Sequence, residues 1–149
     1  DRWGLELSHI SEGESPQETL SRPSAQQGLI RFCGDVGRQR PEGGCWLDAL
    51  ADWRQPLVLM VAGEVGGGIP GSAAAYAALC LQLGAPLIGL VQIGSQWNRL
   101  QRRRDGLPWM GWIPAAGVPE RELALDHLVQ ELSRRSITAA ATGAGAHRP

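Results

Sequence analysis

Residues 56–93 read PLVLMVAGEVGGGIPGSAAAYAALCLQLGAPLIGLVQI, and this stretch decides the fold. Its first part, Leu57–Ala62, is continuously apolar, as expected of a parallel strand that is covered on both faces. A glycine-rich turn follows, after which Ser72 is placed to cap a helix and Gly84 to end it in the left-handed conformation. Leu87–Val91 is the next apolar run. The stretch therefore predicts a right-handed strand–helix–strand unit with parallel strands.

Further strands and helices are predicted on both sides of this unit. Leu29–Cys33 and Trp109–Ile113 are short apolar runs that predict strands, and apolar residues recur at helical spacing over residues 46–53. We expect an exposed helix at Ser95–Asp105 and an amphipathic helix at Pro119–Arg135. Strands that alternate with helices in this way indicate an α/β domain with a parallel sheet.

The chain divides by composition into three parts. Residues 1–28 are rich in Ser, Gln, Glu and Pro, and we expect a loose polar segment with one short helix capped by Ser15. Residues 29–135 form the predicted α/β domain. Residues 136–149 are rich in Gly and Ala, and we expect a disordered tail.

The charged and sulfur-containing residues exclude several kinds of chemistry. All 14 basic residues are Arg, so these 149 residues contain no P-loop lysine, Schiff-base lysine or lysine general base. Against 15 acidic residues the formal charge is −1, and we expect neither a nucleic-acid partner nor a membrane partner. The three Cys residues lack the paired spacing of a zinc site, which indicates reduced thiols in a cytoplasmic protein.

The glycine-rich turn matches the G-x-G-x-x-G pattern of dinucleotide-binding domains. It stands directly after a predicted strand and before a predicted helix, where backbone N–H groups can approach a pyrophosphate. The glycines of this reading are Gly66, Gly68 and Gly71. The acidic residue that would hold a ribose is missing near Gln92, so Arg99 or the run 102–104 would have to accept the 2′-phosphate of NADP. A purely structural role of the glycines, and a solvated Arg run, are the competing interpretations.

A series of short segments over residues 45–117 resembles the C-terminal half of dethiobiotin synthetase. More broadly, it is similar to the cobyrinate-synthase and ParA-like group of P-loop proteins. The segments, in order, are Asp52-Trp53, Gln55–Val61, Gly67–Ile69, Gly89–Val91 and Met110–Pro114. The resemblance implies an α/β, parallel-sheet, three-layer fold that is P-loop-NTPase-like or Rossmann-like.

The resemblance also implies roles for individual residues. Gly67, Gly68 and Ile69 fall in the loop whose backbone N–H groups bind a substrate carboxylate across a homodimer interface in that family. Gln92, together with Pro114-Ala115, falls beside the family's adenine pocket. The substrate implied is a small molecule with a carboxylate, and the reaction is ATP-dependent closure of a cyclic urea on a diamino fatty acid, in biotin synthesis.

The phosphate-handling half of that family's machinery is missing from this sequence. It has neither the Gly-Lys-Thr loop nor the catalytic lysines, and Asp35 is the one stand-in for the acidic magnesium ligand. The chain begins with Asp1 rather than Met, which favours a fragment or a degenerate relative that is inactive alone. ATP and Mg²⁺ are expected only if an N-terminal P-loop portion exists. A third hypothesis is a non-catalytic interaction or scaffold protein that uses its Trp-bearing faces for a partner.

Overall fold

The computed structural model describes residues 6–22 and 28–144, with side chains as far as residue 135. It is an α/β protein with two small parallel sheets. Five strands are present in this part of the chain: β1 Leu7–Ser11, β2 Leu29–Cys33, β3 Leu57–Ala62, β4 Leu87–Ile93 and β5 Trp109–Ile113. The helices are α1 Pro16–Leu20, α2 Trp46–Asp52, α3 Ser72–Leu83, α4 Arg99–Arg104 and α5 Arg121–Ala144, and a short 3-10 turn covers Val65–Gly67.

The two sheets differ in their position along the chain. Strand β1 pairs with β2, and the second sheet has the order β3-β4-β5, with all neighbours parallel. The strand–helix–strand unit predicted from residues 56–93 is therefore confirmed. Strand β1 and helix α1 lie inside the segment for which a loose conformation was predicted, and Ser15 does cap α1 by accepting from the Glu18 N–H.

Helices pack on both faces of the three-stranded sheet. On one face α2 and α3 bury Leu47 and Cys80 against apolar side chains of β3 and β4. On the other face Leu128 of α5 packs with Val91 and Met110. The prediction that β3 is covered on both faces is wrong, since Met60 is 54% exposed. The reason is that β3 is an edge strand, whereas α5 lies over β4 and β5.

Some predicted helix ends shift. Helix α3 has Gly71 rather than Ser72 at its N-cap, while Gly84 ends it at φ +70° as predicted. Helix α4 starts four residues later than predicted, because the Asn98 side chain caps it by accepting from the Gln101 N–H. Helix α5 continues beyond Arg135 to Ala144, and residues 145–149 of the predicted tail lie outside the described part of the chain. No helix in that described part is long and apolar enough to cross a membrane.

All three cysteines are free, and two are buried. Burial raises the pKa of the Cys45 and Cys80 thiols, which keeps both in the neutral, unreactive form.

Candidate functional site at the carboxyl edge of the parallel sheet

The carboxyl ends of β3, β4 and β5 lie side by side. Ala62 is in register with Ile93, and Ile93 in turn with Ile113, so the three following loops leave the sheet at one edge. In open α/β sheets, ligands bind in the crevice outside this edge. The glycine loop, residues 63–71, follows β3; residues 94–98 follow β4, and Pro114-Ala115 follows β5. The structure thus brings together the glycine, Gln92 and Pro114 segments that the sequence singled out.

The glycine loop is closed by hydrogen bonds within itself. The Glu64 N–H donates to the Gly68 carbonyl at 2.9 Å, and the Gly67 N–H donates to the Glu64 carbonyl at 3.1 Å. Gly66 and Gly67 have φ of +82° and +85°, a backbone conformation that residues other than glycine rarely adopt. Ile69 is half-buried and packs toward β3 and α3. The glycines therefore shape a compact loop that leads into α3.

Gly63 lets β3 approach the β4 loop closely. A Cβ at this position would stand 2.8 Å from Gln92 Nε2 and from Ser95 Cβ, and 3.0 Å from the Gly94 carbonyl oxygen. Ser95, which itself has φ +54°, donates its hydroxyl to the Glu64 carbonyl. The first residues of two neighbouring loops are thus fixed against each other.

The buried side chain of Arg102 joins the glycine loop to β4. Its Nη2 donates to the Gly67 carbonyl at 2.5 Å, and its Nε donates to Gln92 Oε1 at 3.1 Å. Nη1 meets the Asp105 carboxylate at 3.3 Å, and the guanidinium lies 5.1 Å from the centre of the Trp109 ring. Arg102 is only 6% exposed, so the prediction of a solvated Arg run is wrong at this position. The sequence gives no signal for this, because Arg103 and Arg104 are the same residue type on the same short helix.

The amide of Gln92 is fully engaged inside the protein. Nε2 donates to the carbonyls of Gly94 and Gln96 at 3.0 and 3.1 Å, while Oε1 accepts from Arg102. The side chain is completely buried. Gln92 therefore holds the β4 loop in shape, and its amide has no N–H left to offer an adenine ring.

The N-terminus of α3 presents backbone donors to the same edge. The Ala73 N–H already donates to the Pro70 carbonyl at 3.0 Å, and no described side chain caps the other N–H groups of the first turn. Helix N-termini with unpaired N–H groups favour anions. Glu64 is the nearby acidic side chain, since its Oε2 lies 3.1 Å from the position that a Cβ on Gly68 would take. An anion that approaches Gly68 would therefore meet both favourable backbone dipoles and one like charge.

Pro114 and Ala115 differ in accessibility. Pro114 is buried, and its carbonyl accepts a hydrogen bond from Arg121 Nη1 on α5. Ala115 is exposed at the edge of the sheet. Of these two residues, Ala115 is the one that a ligand can reach.

Asp35 lies in the loop that follows β2 and belongs to none of the three loops at this edge of the sheet. Its Oδ1 accepts from the Tyr76 hydroxyl at 2.5 Å and from the Gly37 N–H at 2.9 Å, and both bonds lower the pKa of the carboxyl. The same contact raises the pKa of Tyr76 to about 12. The neighbouring Glu12 accepts from the Asp35 N–H at 2.5 Å and from Arg38 at 2.9 Å, which lowers its pKa as well.

This second cluster was missed from the sequence, because Glu12, Asp35 and Tyr76 are far apart in the chain. Within residues 6–22 and 28–135, no three His, Cys, Asp or Glu side chains converge in a way that would hold a metal ion. The role of Asp35 as a magnesium ligand stays a prediction.

Comparison with known proteins does not identify a family for this chain. The sequence matches no protein-family model and no curated protein at a significant level.

Proposed function

We propose that this chain is a three-layer, P-loop-NTPase-like α/β domain of the dethiobiotin-synthetase type, which binds a small carboxylate at its glycine loop. Gly67, Gly68 and Ile69 take the role of the carboxylate-binding loop, with Gly68 and Ile69 as the donors, because the Gly67 N–H already donates to the Glu64 carbonyl. Ala115 takes the role of a nucleotide contact only in a longer protein that adds a P-loop. In this proposal the chain does not close a cyclic urea by itself.

One observation carries the proposal. The segments Gly67–Ile69, Gly89–Val91 and Met110–Pro114 are separated by about twenty residues each in the sequence, yet the loops that contain or follow them leave the sheet at one edge. A site of this kind needs loops from adjacent parallel strands at the carboxyl end. The order β3-β4-β5 supplies them, and the N-terminus of α3 supplies the donors for an anion.

The residues present do not fit ATP-Mg²⁺. The chain has no lysine, Oδ1 of Asp35 already accepts two hydrogen bonds, and the amide of Gln92 is used internally. Phosphoryl transfer depends on positive groups that neutralise the phosphates. We therefore assign carboxylate binding to this chain, and ATP binding only to a longer protein that adds a P-loop.

Thermal unfolding of the full chain tests the proposal. A medium-chain diamino fatty acid at 100 times its Kd adds about 2.7 kcal/mol, or roughly 5 to 11 °C, whereas the corresponding carboxamide leaves the midpoint unchanged. The Glu64→Gln variant removes the like charge beside Gly68, and it should bind the carboxylate more tightly. A matched control is Glu42→Gln, on an exposed loop elsewhere.

Other ligands in the same screen separate the alternatives. Stabilisation by NADPH, without any effect of the fatty acid, would favour a dinucleotide site at Gly66, Gly68 and Gly71. Stabilisation by ATP-Mg²⁺ would show that the chain holds a nucleotide without a P-loop. If none of the ligands raises the midpoint, carboxylate binding is refuted and the scaffold hypothesis remains.

A further inference from the structure

The outer edge of β5 lines an elongated groove. In the order β3-β4-β5 this strand comes last, so in the described part of the chain it has a neighbouring strand on one side only. A cavity of about 660 Å³ adjoins it, and the seven consecutive residues Gly106–Trp112 are among the residues that line it. The part of this run that lies in β5, Trp109–Trp112, spans roughly 13 Å at about 3.3 Å per residue, which suits a short extended segment of another chain.

The walls of the groove carry positive charge and aromatic surface. Arg99 and Arg103 come from α4 and His127 from α5, with Trp97 beside them. Both arginines are exposed, and neither forms an ion pair with another described residue. No acidic side chain of the described residues lines the groove. An occupant with negative charge is therefore favoured.

At the start of β5, one backbone carbonyl of the free edge is already hydrogen-bonded. Arg135 Nη2 donates to the Trp109 carbonyl at 3.1 Å. Strand β5 pairs with β4 as far as Ile113, with a register shift between the Leu90–Trp109 and Val91–Gly111 pairs, so the backbone groups of only some residues in Met110–Trp112 face the free edge. Unpaired groups on such an edge are a template for a further strand, and proteins use this mode to bind extended peptides.

We propose that the β5 groove binds an extended segment of another protein as an added strand, with an acidic side chain of that segment between Arg99 and Arg103. Main-chain hydrogen bonds to the residues of Met110–Trp112 that face the free edge contribute to the affinity, and the two guanidinium groups select the acidic residue. The groove shares Arg102 with the glycine loop, but the proposal does not depend on carboxylate binding at that loop.

Amide NMR of the full chain with synthetic peptides tests the proposal. The probe is the acetylated, amidated octapeptide STVEVETS, and the matched control has both Glu replaced by Gln. We expect chemical-shift changes along Met110–Trp112 with the Glu peptide, slowed hydrogen exchange at those of its amides that do not donate to β4, and at least fivefold weaker binding of the Gln peptide. N-methylation of alternate peptide amides should abolish binding, since it removes the donors of the added strand.

Variants of the groove provide the second part of the test. Arg99→Gln combined with Arg103→Gln should abolish the preference for the Glu peptide, whereas Arg104→Gln, on the same helix but outside the groove, should preserve it. Failure of the Glu peptide and of a displayed library of random octapeptides to bind would overturn the proposal. Concentration-dependent dimerisation with shifts at β5, in the absence of peptide, would overturn it too, because the occupant would then be a second copy of this chain.

Discussion

The Arg102 guanidinium donates to the carbonyl oxygen of Gly67 at 2.5 Å, across 35 positions of sequence. The same side chain binds Gln92 and lies over the Trp109 ring. One buried cation therefore fixes the glycine loop, the end of β4 and the start of β5 relative to one another. The shape of the candidate site therefore depends on this contact as well as on its glycines.

Replacement of Arg102 by Gln should destabilise the protein strongly. The shorter amide cannot reach all of the acceptors, and Gln92 Oε1 would lose its buried donor. We expect a loss of about 3 kcal/mol in unfolding free energy, or roughly 6 to 12 °C in Tm. Chemical denaturation measures it. Arg104→Gln is the control, since Arg104 is exposed on the same helix; equal effects of the two changes would contradict the structural role of Arg102.

Gly63 and Gly71 offer a matched pair of substitutions at the two ends of the glycine loop. A Cβ on Gly63 would collide with Gln92 and Ser95 at 2.8 Å, whereas a Cβ on Gly71 meets nothing within 4 Å. We expect Gly63→Ala to cost about 1 to 3 kcal/mol through overpacking. Gly71 has φ −59°, so Gly71→Ala should be neutral or stabilise by up to about 1 kcal/mol.

Thermal unfolding of both alanine variants is a sufficient measurement. A stable Gly63→Ala protein would show that the two loops do not meet as described. A destabilised Gly71→Ala protein would indicate that the loop has another conformation at the start of α3.

Much of the sheet was predictable from local sequence, because continuous apolar runs have few alternatives to a buried strand. Strands β2, β3 and β5 begin and end where the runs Leu29–Cys33, Leu57–Ala62 and Trp109–Ile113 do. Strand β1 was not predicted, since Leu7–Ser11 has only two apolar residues, Leu7 and Ile10, which are three positions apart within a polar segment. The strand is stabilised by pairing with β2. That pairing is a non-local contact.

The candidate site was predictable in position but not in detail. The glycine spacing identified the loop, and the order of segments identified the neighbouring strand ends. The burial of Gln92 and Arg102 depends on how α4 folds back on the sheet, which no local pattern reveals. The contact between Asp35 and Tyr76 is likewise non-local, since 41 positions of sequence separate the two residues.

Tyr76 is the only tyrosine in the chain, so its ionisation can be followed directly in the near ultraviolet. Its hydrogen bond to Asp35 raises its pKa from 10.0 to about 12. Because the folded pKa lies above the unfolded one, the stabilisation is complete below pH 10.0 and is lost as the pH rises toward about 12. In Asp35→Asn the carboxylate charge is absent, and the midpoint of the titration should move down toward 10.0. An unchanged midpoint would show that the two side chains are not in contact.

The stability contribution of Glu131 depends on pH in the opposite sense and in the acidic range. It accepts hydrogen bonds from Arg134 at 2.7 Å and from Arg135 at 2.6 Å, and these bonds lower its pKa from 4.5 to about 2. Arg135 in turn donates to the Ile88 and Trp109 carbonyls, so Glu131 orients the side chain that ties α5 to the sheet.

Since the folded pKa of Glu131 lies below the unfolded one, its contribution to stability is present above pH 4.5 and is lost as the pH falls toward 2. We expect Glu131→Gln to be less stable than the wild type at neutral pH, and the difference to close between pH 4.5 and about 2. Urea unfolding of both proteins over this range measures the difference. A gap that stayed constant down to pH 2 would mean that the loss comes from packing rather than from the carboxylate charge.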